Sequence, residues 1–304
     1  MNILITGGRG FVGKYIVRDL IANGHHVIDY NRDIYPPISS DLHFPVYGDL
    51  FDIPRLESLI RQFQVDRVIH TAGLSHPAVS VDVPLTTIKS NVFGTSCVLE
   101  ACRLCGISRV ILLSSECVYG ETEISVDTEE NHALHPTTPY GVSKAAIDML
   151  GLVYNTQYQM DTISLRISQI YGPGQVMQED IKDAVKMAIS GQQYQRSFGR
   201  DQTFQFIHVE DVSRATIAAC TVGDHQSNVY NITGGTITTL GEVLDLILEL
   251  IPSFQFEVGE GNLGYEERGI FNISKAKQEL NFFPSISLED GIRSYVEWLG
   301  ENLN

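Results

Sequence analysis

The sequence predicts an α/β fold: a doubly wound parallel sheet with a smaller, discontinuous C-terminal lobe. Through the first half of the 304 residues, short apolar runs alternate with segments of helical period. That alternation is the pattern of a parallel sheet covered by helices on both faces. After Tyr171 it stops and helical signals dominate. The run Gly7-Gly-Arg-Gly10-Phe11-Val12-Gly13 stands where a first strand turns into a first helix.

In order, strands are expected over 2–6, 26–30, 44–47, 67–71, 109–114 and 162–167. Each is an apolar run short enough to be buried on both faces. The helix after the glycines covers 14–21 and stops at Gly24; another runs from Asn91 to about Gly106. Beyond Tyr171, helices are expected over 179–190, 239–250, 274–280 and 288–299, and a strand over 202–208. The expected division gives 1–170 to the sheet domain, with 199–227 returning to it. It gives 171–198 and most of 228–304 to the smaller lobe. A ligand is expected at the carboxyl ends of the strands, between sheet and lobe.

Strand, glycine turn and helix together make a dinucleotide fingerprint. The first glycine lets the chain turn, the second lets the backbone approach a pyrophosphate, and the third lets helix pack on strand. The helix N-terminus then offers N–H groups and partial positive charge. The spacing is Gly7, Gly10, Gly13 rather than the closer G-x-G-x-x-G. At the end of the second strand, an acid would select NAD through the ribose hydroxyls, and an arginine would accept the 2′-phosphate of NADP. The chain reads Asn31-Arg32-Asp33 there, with Asp29 inside the strand. Arg32 leans toward NADP, while Asn31 and Asp33 keep NAD open.

Tyr140 and Lys144 are four apart in a helical segment and so share one face. A lysine so placed is expected to favour the ionised phenol and lower its pKa. Ser115 closes the fifth strand, where catalytic side chains of an open sheet are expected.

With these motifs in place, the chain resembles the extended short-chain dehydrogenase/reductase family, in particular its nucleotide-sugar epimerases and dehydratases, over nearly its whole length. Gly48-Asp49-Leu50 resembles the adenine-contacting segment, and His70-Thr71-Ala72-Gly73 the loop along the cofactor. Asn91 to Thr95 resembles the start of the next helix, and Ser115 to Gly120 the serine loop. Tyr171-Gly-Pro-Gly174, Ser274-Lys-Ala276 and Leu288-Glu-Asp-Gly291 resemble later family segments.

The resemblance implies a Rossmann-like fold binding NAD or NADP through Gly7, Gly10, Phe11, Val12, Gly13, Asn31, Arg32, Asp49, Leu50, Thr71, Ala72, Gly73, Asn91, Tyr140 and Lys144. It implies that Ser115 holds the reacting oxygen, that Tyr140 is base or acid, and that Lys144 holds the cofactor ribose. Ser75, His76, Glu116 and Arg268 are the substrate-binding candidates. In the dehydratases, two residues after the serine or threonine supply an acid and a glutamate base. Here they are Glu116 and Cys117, which argues against dehydration, because a thiol is no carboxylate. Phe204 and Gln205 stand where many relatives carry Arg-Asp, leaving Arg268, with Arg196 and Arg200 as alternatives, for a nucleotide phosphate.

The functions that follow are a nucleotide-sugar epimerase acting at carbon 4, a net reductase or dehydrogenase using the same residues, and a non-catalytic dinucleotide sensor. The net charge of −16 argues against nucleic acid and anionic membranes as partners. No apolar run reaches spanning length, no leader is legible, and five cysteines are consistent with reduced thiols. A cytoplasmic location is expected on these grounds. Cys102 and Cys105 lack a second pair, so packing rather than a metal is expected. The resemblance also implies a homodimer, formed by the helices near 91–105 and 143–158.

Overall fold

The computed structural model describes residues 1–33, 36 and 40–302. Its centre is a seven-stranded parallel sheet built from β1 (Asn2–Thr6), β2 (His26–Asn31), β3 (His43–Tyr47), β4 (Arg67–His70), β5 (Arg109–Ser115), β6 (Asp161–Ile167) and Val229–Ile232. From one edge the order is Val229–Ile232, β6, β5, β4, β1, β2, β3. The chain therefore winds one way from β1 to β3 and the other way from β4 onward. The reversal opens a crevice beyond the carboxyl ends of β1 and β4, where Thr6 pairs with His70.

Alternation along each strand decides the packing. Ile3 and Ile5 face one core with Leu20 of α1 (Phe11–Ala22) and Val212, Ala215 and Ala219 of the helix Val209–Thr221. Leu4 faces the opposite core with Leu56 and Leu59 of Ile53–Gln62 and Val98 and Leu99 of Gly94–Cys105. Both faces are dry, which is why these strands read as unbroken apolar runs.

A third core lies between the helices Asp180–Ile189, Leu240–Leu250 and Leu288–Asn302. A capping box, Thr239 with Glu242, starts the second of these. Among the described residues no helix is long and apolar enough to cross a membrane, and no group of three or more His, Cys, Asp or Glu side chains could hold a metal ion. Cys102 is buried in the second core.

Three sequence expectations are corrected. Val229–Ile232, assigned by sequence to the smaller lobe, is the outermost strand of the main sheet and pairs with β6. Ile273, Ala276, Leu280 and Phe282 also pack into a core of that sheet. The strand is four residues long, and Asn231 hides its apolar character by turning its side chain to Tyr119, whose hydroxyl donates to Asn231 Oδ1 at 2.6 Å. Next, the single strand expected over 202–208 is two. Thr203–Phe204 pairs with Thr238–Thr239, and Phe206–His208 pairs with Gln169–Tyr171. Gln205 breaks the run, because its buried amide donates to the Gly269 carbonyl at 2.9 Å and accepts from the Phe271 N–H at 2.9 Å. Finally, the helix expected from Asn91 becomes regular only at Gly94, after a π-helical turn, Lys89–Phe93.

Candidate active site

The crevice begins at the glycine loop. Gly7 has φ of +77°, and a Cβ there would sit 2.8 Å from the Ala72 backbone. Its N–H donates to the Tyr30 carbonyl at 3.1 Å, and its carbonyl accepts the Gly10 N–H at 2.9 Å. A Cβ on Gly13 would collide with that same Gly7 carbonyl, so only glycine lets α1 lie this close. Gly10 caps α1 without a side-chain hydrogen bond, and Phe11 and Val12 open its first turn. The N-terminal amides of α1 are thus brought up against the turn with no side-chain cap on them, an arrangement suited to an anion. From across the switch point, the Thr71 hydroxyl donates to the Thr6 carbonyl at 2.7 Å, and the Ala72 N–H donates to Thr6 Oγ1 at 3.4 Å.

Beside the turn Asp29 is buried inside β2, as its strand position implies. Asn31 donates to it at 2.6 Å and turns Oδ1 to the Arg9 N–H at 3.3 Å. Arg32 is exposed. Asp49 is exposed and accepts the Phe51 N–H at 3.0 Å, while Leu50 is half-buried against Gly94.

The helix Pro139–Tyr158 brings Tyr140 and Lys144 to the carboxyl end of β5. Thr138 caps it by accepting the Gly141 N–H at 3.1 Å, and Pro139 takes the first helical position. A Cβ on Gly141 would lie 2.5 Å from the Cys117 carbonyl, so the helix rests directly on the serine loop. Ser115 accepts the Cys117 N–H at 3.2 Å.

Asn91, in the π-helical turn, is buried and fully engaged. Its amide donates to the Leu74 carbonyl at 3.0 Å and to Ser143 Oγ at 2.9 Å, and its Oδ1 accepts the Leu74 N–H at 2.7 Å. It therefore ties the loop containing Gly73 to the helix of Tyr140. A turn of this kind often marks a functional site.

The electrostatics depart from the sequence expectation. Burial pushes the Tyr140 phenol above its ordinary value, and the neighbouring Ser115 hydroxyl only partly opposes this. Lys144 does not lower it as expected. Its ammonium donates to the Leu113 carbonyl at 2.6 Å and lies 5.5 Å from the Tyr140 ring centroid. Burial brings Lys144 itself down to about 8. His70 lies behind it, within 2.7 Å of Thr6 Oγ1 and 2.9 Å of Thr95 Oγ1. The Thr95 hydroxyl donates to the Asn91 carbonyl, so it must accept from His70 Nε2. Burial holds this imidazole neutral, at about 3.

A cavity of about 410 Å³ opens beside this trio. Ser115, Tyr140 and Lys144 do not line it; Glu116 and Cys117, which follow Ser115, and Thr138, which caps the Tyr140 helix, do, together with Arg268. His76 lines it, and Ser75 does not. Burial raises Glu116 to about 7 against the pull of Arg268, whose Nη1 is 3.6 Å away. Burial also raises the Cys117 thiol to about 11. Arg268 further donates to the Gly120 carbonyl at 2.8 Å and pairs with Glu266.

Of the remaining lining, sequence reasoning named Phe204 and Arg196 but missed Glu179, Asp180 and Tyr265. Glu179 caps the helix Asp180–Ile189 by accepting the Ile181 and Lys182 N–H groups at 3.0 and 2.9 Å, and burial raises it to about 8. The acid pair was legible as a helix start, but only the tertiary fold brings it to the cavity.

The model of the NAD dependent epimerase/dehydratase family matches residues 3–233. The chain belongs to that family. Among family relatives, it is 31% identical to a dTDP-glucose 4,6-dehydratase of Actinoplanes sp., over 99% of this chain and 98% of that one. It is 29% identical to dTDP-glucose 4,6-dehydratase 1 of Escherichia coli, over 99% and 93%. Of solved structures, the UDP-glucose 4-epimerase of Thermotoga maritima with UDP-glucose superposes with a TM-score of 0.90 at 27% identity, over the whole of both chains. The Thermus thermophilus UDP-glucose 4-epimerase complex with NAD gives 0.87 at 26%, over 98% of each. The extended short-chain dehydrogenase/reductase reading, the α/β fold and a nicotinamide-dependent enzyme class all follow from this membership.

Proposed function

We propose that this protein is an NAD-dependent epimerase of a nucleotide sugar, acting at carbon 4. The observation that carries the reading is that Tyr140 and Lys144 share one helix face, ammonium 5.5 Å from the ring centroid, while Ser115 ends β5 beside the cavity-lining Glu116 and Cys117. The glycine turn fits a dinucleotide, since Gly7 and Gly13 let the turn and α1 close on each other with no β-carbon between them, and the α1 N-terminus carries no side-chain cap. When bound there, the cofactor supplies the acceptor and donor for a hydride. NAD is favoured over the NADP lean drawn from Arg32, because NAD is what the family description and the Thermus thermophilus complex name.

Tyr140 exchanges a proton with the carbinol oxygen. Its buried phenol is held protonated, and the ionised form that takes the carbinol proton would be favoured by the positive nicotinamide ring of bound oxidised cofactor. Ser115 holds the oxygen that changes between alcohol and ketone. Lys144, fixed by the Leu113 carbonyl, holds its ammonium beside the Tyr140 ring and would hold the ribose of a bound cofactor. A cavity of about 410 Å³ gives a keto sugar room to present its other face. Elimination of water is disfavoured, because the Cys117 thiol stays protonated at neutral pH.

The test is to incubate the protein with UDP-glucose or dTDP-glucose and NAD. A C4 epimer with no accumulation of reduced cofactor supports the reading. A keto product with stoichiometric reduced cofactor replaces it with a dehydrogenase, and a 6-deoxy keto product with a dehydratase.

We also propose a homodimer through the helix Pro139–Tyr158 and its neighbour Gly94–Cys105. Val142, Met149 and Val153 are exposed at helical spacing on the first, and Phe93 is exposed beside the second. Sedimentation at micromolar concentration showing only monomer would overturn this.

A further inference from the structure

The cavity is lined by two arginines in different states. The Arg268 side chain is 10% exposed and carries three acceptors: Glu116, Glu266 and the Gly120 carbonyl. Its fork is used up in holding them. Arg196 closes the short strand Tyr194–Arg196. Its side chain is 24% exposed, and its guanidinium meets one carboxylate, Asp180, at 2.6 Å. It lies over the Tyr194 ring, 5.2 Å from the centroid, and electrostatically senses Tyr265. Phe204 and Tyr265 also line the cavity, their rings in edge contact at 6.2 Å. Arg200, the other candidate, pairs with Asp245 and does not line the cavity.

Around Arg196 the cavity therefore offers one accessible guanidinium beside an aromatic wall, and Asp180 occupies that guanidinium. A carboxylate and a phosphate bind the arginine fork with the same geometry, and a doubly charged diphosphate binds it more strongly. The main-chain donors that Asp180's helix could offer an anion are already taken in part by Glu179. An anion arriving there is left with Arg196 as its counter-charge.

We propose that Arg196 is the diphosphate-binding cation of the pocket, and that Asp180 is a placeholder which the substrate's phosphates displace from it. The proposal rests on the nucleotide-sugar reading above and names the residue that reads the nucleotide end. Binding is an exchange of ion pairs. The Arg196–Asp180 pair opens, Arg196 pairs with phosphate, and the Asp180 carboxylate turns to water at the cavity mouth. Phe204 and Tyr265 supply the apolar wall beside which the exchange occurs.

An ion-pair exchange makes opposite predictions for its two partners, whereas a merely structural bridge makes the same one. The experiment is calorimetric titration of NAD-saturated protein with uridine diphosphate and thymidine diphosphate. Wild type binds at least one of them. Arg196→Met raises the Kd at least tenfold, and Arg196→Lys, which keeps the charge but loses the fork, falls between. Asp180→Asn lowers the Kd several-fold, because the competitor is gone. Melting curves identify any variant that fails to fold, and the three variants do not depend on one another. If Asp180→Asn weakens binding as much as Arg196→Met, the pair is structural and the proposal fails. It also fails if folded Arg196→Met binds like wild type, and the nucleotide-sugar reading then survives. If wild type binds neither diphosphate, both fall.

Discussion

The two sides of the cleft are built by different means. On the cofactor side, main chain touches main chain: Gly7 against Ala72, Gly13 against Gly7, Gly141 against Cys117. On the substrate side, side chain meets side chain through ion pairs and buried acids: Arg196 with Asp180, Arg268 with Glu116, and Glu179 on its helix end. The first kind of contact admits one residue type and no adjustment. The second can be titrated, exchanged or retuned by a single charge. A family whose members share a half-reaction and differ in substrate would vary the second and keep the first.

Four substitutions test that contrast. The largest effect is expected from Tyr140→Phe, which removes the proton-transferring hydroxyl and leaves the ring. Turnover should fall by about 10²–10⁴-fold, with NAD still bound, and full retention of turnover would remove Tyr140 from the proton-transfer role. Next is Gly13→Ala. One methyl group against the Gly7 carbonyl should cost NAD affinity at least tenfold in equilibrium titration, whereas unchanged affinity would break the comparison on its rigid side.

On the adjustable side, Glu179→Gln should act through pH. Glu179 is raised from 4.5 to about 8 on folding, so between those values the folded state holds a proton the unfolded state has lost. That contribution to stability is complete at low pH and disappears as pH rises through about 8. Wild-type melting temperature should therefore fall between pH 5 and 8, and the glutamine variant should fall less, by roughly 2–4 °C for each kcal/mol removed. Equal slopes would mean that Glu179 is not the group titrating. The smallest effect is Thr138→Ala, which deletes the cap of the Tyr140 helix. It should cost about 1 kcal/mol in denaturant unfolding, with turnover reduced less than tenfold.

The sequence disclosed what repeats locally. The six strands expected before Tyr171 all form within a residue of their expected ends, and in all but the edge strand β3 burial on both faces leaves a continuous apolar run. The glycine loop was legible because its steric demands fall on single positions. Val229–Ile232 was not, since Asn231 interrupts a four-residue run to serve a distant tyrosine. The break at Gln205 was hidden for the same reason, its partners lying more than sixty positions away. The charge state of Tyr140 was misjudged because spacing reveals which groups are near, while burial decides what nearness does. Asp180 beside Arg196 is likewise a product of tertiary folding, with nothing in the local pattern to announce it.

The contact between Gly141 and the Cys117 carbonyl has one more consequence. It acts as a mechanical stop. With no side chain between the helix and the serine loop, the gap between the tyrosine hydroxyl and the reacting oxygen is indexed by two backbones. Packing elsewhere in the helix can drift over many substitutions while that gap stays constant. The outer face of the same helix is thereby free to diverge, and the reaction keeps its alignment.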